Sequence, residues 1–251
     1  MAAKQSADSC AILEAGVFSL LIRGRVGTGP SNGVNDMNSI ARSYILLHPI
    51  ARAERPVKKT LANKNSARVL ILPKKALPSK GERFMAFVAK ANASDDGVED
   101  ELATPADYET KTSGIRHTPA AIKVCEGTYT LSSAAGGRKT HLVYAITQPE
   151  TLSKFLREHL KVQDRGSFLI STRNPTYEGP ANVQLPAGPE FSEEILSHFR
   201  SLRWIPSTPD HLDYANAQVL LIGEKSVVDE DRESEDVDRE LEVKVEDVDM
   251  I

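Results

Sequence analysis

The sequence predicts an α+β domain: a largely antiparallel sheet of successive hairpins with about three short helices. Three observations carry this expectation. Short apolar segments with period-two alternation recur along the chain, Gly-, Pro-, Asn- and Ser-rich turns separate them at hairpin spacing, and segments of period 3.6 interrupt them.

Val17–Val26 reads as the first strand, and the run TGPSNGVNDMNS after it as a loop. Ala41–Leu47 is a second strand, ended by His48-Pro49. The Lys- and Arg-rich stretch 50–66 has no period and reads as a surface loop. Arg68–Leu72 and Arg83–Ala89 are two more strands, joined by the turn-forming PKKALPSKGE. Ser94 or Asp95 then caps a helix through Ala103, with acids near its start, where the helix dipole favours them. The stretch DYETKTSGIRHTPAAIKVCEG is polar and aperiodic, the longest irregular segment of the body, and long loops in compact domains often carry function.

Thr128–Ser132 and Thr140–Thr147 form a hairpin across Ala134–Gly137. In its second strand Leu142, Tyr144 and Ile146 point one way, and His141, Val143 and Ala145 the other. A helix at Glu150–Leu160 aligns Leu152, Phe155, Leu156 and Leu160. Ser167–Thr172 is a buried strand closed by Asn174-Pro175, Glu190–Leu202 a helix with Phe191, Ile195, Phe199 and Leu202 on one face, and Gln218–Gly223 the last strand. The run EAGVFSLLIRGR…ARSYILLHP echoes EGTYTLSSAAGGR…THLVYAITQP, as a duplicated half-domain would. The expected organisation is a disordered N-terminus at 1–10, a single domain at 11–223 with halves 11–105 and 106–223, and a disordered acidic tail at 224–251.

The tail departs from the body in charge. Residues 224–251 hold 13 acidic and four basic side chains with no aromatic residue, Gly or Pro, so the net −4 of the chain divides into −9 there and +5 in the body. Such a segment buries too little apolar surface to offset the entropy of ordering. It suits a basic protein partner. Val243-Lys244-Val245-Glu246 fits the apolar-Lys-x-Glu pattern of a SUMO acceptor, and Ser226 and Ser234 lie among acids as sites for an acidophilic kinase.

No apolar run approaches the ~20 residues that span a bilayer, and the N-terminal segment lacks the basic region and cleavage site of a signal peptide. The two cysteines, Cys10 and Cys125, cannot form a disulfide framework or a Cys-rich zinc site. Together these features place the chain in the cytoplasm or nucleus, with no membrane association.

Catalytic signatures are missing: no GxGxxG after a strand, no P-loop, no GxSxG, no HExxH, and no histidine at metal-ligand spacing. No cofactor or metal is expected. The best local concentration of chemistry is the segment from Tyr108 to Thr118. Lys111 and Arg116 could clamp a phosphate or carboxylate, with Tyr108 beside them. His117 could act as general acid or base, with His141 as the natural second histidine. Asp213, in LRWIPSTPDHLDY, reads as a turn acceptor. Basic residues of the body are spread thinly with no nucleic-acid motif, so specific nucleic-acid binding is not expected.

The ordered motifs YETKTSGIRHTPAA, EGTYTL, THLVYAI, GSFLISTRNP and LDYANAQVLLIGE cover most of the body. In these the chain resembles an uncharacterised family of small proteins of fungi and plants, with bacterial relatives, whose fungal members are often labelled "BTB domain transcription factor". The resemblance implies no particular activity, cofactor or catalytic residue. The functional expectation is a non-enzymatic regulatory or interaction protein with an acidic, regulated tail. The alternative is an enzyme or binding protein for a small anionic ligand, sited at Lys111, Arg116, His117 and His141.

Overall fold

The computed structural model describes residues 10–25, 36–52, 66–94, 98, 102, 104, 106–110, 114–178 and 187–224; the side chains of 51–52, 66, 94, 106–110 and 114–118 lie outside that description. The hairpins are present, but the fold is not α+β. Eight antiparallel strands close into a β-barrel, and the helices whose bounds lie among the described residues are short.

Strands β1 (Ala11–Gly24), β2 (Ile40–Arg52), β3 (Ser66–Leu72) and β4 (Arg83–Ser94) form one four-stranded meander. A second is formed by β7 (Ala121–Ala134), β8 (Lys139–Gln148), β9 (Arg165–Arg173) and β11 (Gln218–Gly223). The first strands of the two meanders pair with each other, from Ala11 opposite Ser133 to Arg23 opposite Ala121. Their last strands also pair, from Gln218 opposite Phe87 to Ile222 opposite Arg83. Those two seams, both remote in sequence, turn two open sheets into a barrel without a free edge among its eight strands. A short strand β10 (Trp204–Pro206) adds to the end of β9, and β5 (Ala106–Thr110) with β6 (Gly114–Thr118) makes a separate two-stranded sheet. That hairpin lies in the stretch expected to be irregular, and β7 begins there too.

Period-two alternation sends Phe18, Leu20 and Ile22 of β1, Ile45 and Leu47 of β2, Leu70 and Leu72 of β3, and Leu142 and Tyr144 of β8 inward. An eight-stranded barrel is just wide enough for such side chains to fill. Across its middle the Tyr144 ring stacks on Phe18 at 4.8 Å and on Phe168 at 5.5 Å. Gly166 makes room for the Tyr144 ring, because a Cβ there would lie 2.5 Å from it. Cys125 is also buried, and burial pushes its thiol pKa up to about 12.

Both mouths are plugged. The segment holding α1 (Lys154–Glu158) inserts Leu152, Leu156, Leu160 and Val162 at one end, where the Leu77 amide donates to the Leu160 carbonyl at 3.0 Å. The other end is closed by α2 (Glu193–Phe199) and α3 (Pro209–Leu212), which bring Phe191, Ile195, Phe199 and Leu212 into the core. The 3.6-period signal was therefore real but local. Ser153 and Ser192 accept from the Leu156 and Ile195 amides as N-caps, so both helices start later than their apolar pattern does. Flanking residues Leu152, Leu160 and Phe191 reach the core from non-helical backbone.

The internal echo falls on equivalent strands. Gly16 in β1 and Gly127 in β7 each follow a register shift, and an added Cβ would lie 2.0 Å from the His48 carbonyl oxygen and 1.8 Å from that of Ala145. Each meander thus bends at the same place by bringing two backbones too close for any side chain.

Candidate functional site

Of the ligand residues expected from sequence, Tyr108 lies on β5, and Arg116 and His117 on β6, with Tyr108 directly opposite Arg116. Their side chains lie outside the described residues, as does Lys111 entirely. The modification sites Ser226, Ser234 and Lys244 also lie outside them.

His141 has a different set of neighbours. It projects from the outer wall of β8, and its Nδ1 lies 2.8 Å from Glu224 Oε2. The same carboxylate oxygen accepts from Ser167 Oγ on β9 at 2.5 Å, and the Glu224 amide donates to the Ser167 carbonyl at 3.0 Å. Burial acts to raise the Glu224 pKa, but the hydrogen bonds from His141 and Ser167 outweigh it and hold the carboxyl below its ordinary value. A serine, a histidine and a glutamate are in contact here, yet the carboxylate sits in the middle. Nucleophile activation needs the histidine between the other two, so this cluster anchors rather than activates.

A second cluster lies inside the barrel. Arg68, the first inward position of β3, is fully buried and forks onto Glu14 of β1 with contacts of 2.6 and 2.9 Å. Its Nε and Nη2 also reach Asp213 Oδ1, at 2.8 and 2.7 Å, and the Tyr129 hydroxyl donates to Glu14 at 2.8 Å. Burial works to lower the Arg68 pKa, and Glu14 with Asp213 more than reverses it, so the guanidinium stays charged. The Asp213 side chain is therefore not simply a turn acceptor: it ties the α3 cap to the barrel interior. Parity held the missed signal, since Arg68 shares its strand face with Leu70 and Leu72, and Glu14 shares one with Phe18.

A third site lies where β9 leaves the barrel. Arg173 is 6% exposed. Its Nη1 donates to Gln218 Oε1 at 2.6 Å and its Nη2 to the Tyr177 carbonyl. Both acceptors are neutral. With Pro175, Gly188, Pro189 and Gln218, Arg173 lines a cleft of about 50 Å³. Arg203, just before β10, lays its guanidinium 5.4 Å from the centre of the Tyr177 ring. Burial and the nearby Arg203 charge both lower the Arg173 pKa.

Among the described residues no group of three or more His, Cys, Asp or Glu is placed to hold a metal, and no helix is long and apolar enough to cross a membrane. No family model, curated protein or solved structure matches the chain.

Proposed function

We propose that the chain is a non-enzymatic interaction protein whose barrel is a filled scaffold and whose acidic segment 225–251 engages a basic partner. The observation that supports this reading best is the anchoring of Glu224. The last residue before that segment is fixed to the outer wall by His141 and Ser167. An acidic chain tethered at one end meets a basic surface with its charges concentrated, which speeds encounter and makes binding sensitive to salt. The apolar side chains that fill the interior favour the same reading, because they turn the working surface outward.

The test compares two forms of the full chain purified from its own cells. In the second form Asp229, Glu230, Asp231, Glu233, Glu235 and Asp236 are replaced by Asn or Gln. The wild type should retain Lys- and Arg-rich proteins that elute as salt rises, and the neutral form should lose them. An identical set of partners on both forms would sink the proposal.

A further inference from the structure

Among the described residues two buried arginines, Arg68 inside the barrel and Arg173 where β9 leaves it, have opposite surroundings. Arg68 is matched by two carboxylates. Arg173 has little exposed surface but opens onto a cleft, and among the described residues no ion pair joins it to a carboxylate. A buried cation without a counter-charge is costly, and a protein that keeps one beside an open cleft has left a place for an anion. The acids that flank the cleft-lining residues in sequence, Glu178 and Glu190, are both exposed, and among the described residues neither forms an ion pair with Arg173.

We propose that the Arg173 cleft binds a phosphate group. Arg173 uses two N–H donors on Gln218 and Tyr177, and these contacts fix the plane of the guanidinium while its other donors remain available. A planar fork held in this way matches an oxyanion in a bidentate manner. Charge selects the phosphate dianion over a carboxylate. Arg203 is coupled to the site through Tyr177, whose carbonyl holds one guanidinium and whose ring supports the other. No ion pair among the described residues neutralises Arg203 either, so a second positive charge stands near the cleft without lining it. Size fits as well. One water needs about 10–15 Å³, so about 50 Å³ admits a single tetrahedral oxyanion and excludes the body of a nucleotide, which would extend outward past Pro175 and Pro189.

The experiment is a titration of the full-length protein with inorganic phosphate, and separately with acetate, near pH 7.5 at about 0.1 M ionic strength. It is followed by NMR at the Arg Nε–H and Gln218 side-chain amide signals. Phosphate should shift the Arg173 and Gln218 signals saturably, with a Kd in the millimolar range or below. R203Q changes only an exposed side chain and should weaken binding about threefold. R173M should weaken it at least tenfold, with urea unfolding confirming that the variant is folded. Should R173M fail to fold, R203Q and the map of shifted signals decide. Three results overturn the proposal: no saturable shift at Arg173 in the folded wild type, unchanged affinity in R203Q, or tighter binding of acetate than of phosphate.

Discussion

The two meanders are built alike inside and differently outside. Each runs as four antiparallel strands, bends at a glycine in its first strand, and sends alternate apolar residues into the shared interior. On the first meander the outward residues Leu21, Tyr44, Leu46, Ala67 and Val69 are buried as well, beneath helical Val98 and Leu102. Arg23 seals this layer, its Nη2 donating to the Leu102 carbonyl at 3.1 Å with the guanidinium over the Tyr44 ring. The second meander turns Thr128, His141, Val143 and Ser167 outward, all partly accessible. The inner faces therefore make the barrel, while the outer faces divide the labour. One wall carries an apolar packed layer, and the other is polar, with Thr130 and Ser132 buried on β7 and Glu224 held by His141 and Ser167.

The largest effect should come from the feature that joins the meanders. Arg68→Met leaves Glu14 and Asp213 without their shared cation in the barrel interior, and removal of one member of a buried pair costs about 3–5 kcal/mol. Urea unfolding should show that loss. A cost below about 1 kcal/mol would mean that the cluster is idle in folding.

The contrast between the walls is next. Leu46→Ala on the covered face should cost about 2–5 kcal/mol, as for a core leucine. Val143→Thr, outward on the second strand of the other meander, should stay within about 0.5 kcal/mol. Similar costs at both positions, measured by the same urea titration, would erase the distinction.

The smallest effect sharpens the description of the open wall. Glu224 has a carboxyl held below its ordinary value, so it stabilises the fold above the unfolded-state value near 4.5 and loses that contribution as pH falls through the lower folded value. The gap in unfolding midpoint between wild type and Glu224→Gln should be full above the unfolded-state value near 4.5 and should close as pH falls below it. A gap independent of pH would show that the anchor is not electrostatic.

Legibility in the sequence followed the range of the interactions. Arg68–Leu72 and Gln218–Gly223 were readable because alternation is a local property, and the structure gives the strands Ser66–Leu72 and Gln218–Gly223. The start of β7 was missed because its pairing with β1 slips at Leu20, where Cys125 faces inward, and that breaks the period. Barrel closure was invisible, since nothing local in Ala11 refers to Ser133, nor in Arg83 to Ile222. The α+β expectation failed for that reason: helical pattern at the two plugs was read as whole helices, and the seams had no signal. Among candidate sites, His141 was legible as an outward strand histidine, whereas its partners Ser167 and Glu224 come from β9 and the end of β11, which strand pairing within the second meander brings alongside.

The second seam also has a consequence for how the protein is made. β4 ends at Ser94, and its partner β11 begins at Gln218. At about 5–20 residues per second, a ribosome takes roughly 6–25 s to travel between them. During that interval the first meander has its far edge bare, and Asp213, the second carboxylate for Arg68, has not yet been synthesised. The nascent chain therefore carries an open strand edge until β11 has been made. Its exposure to wrong strand partners is set by the distance in sequence between two strands that are neighbours in the finished barrel.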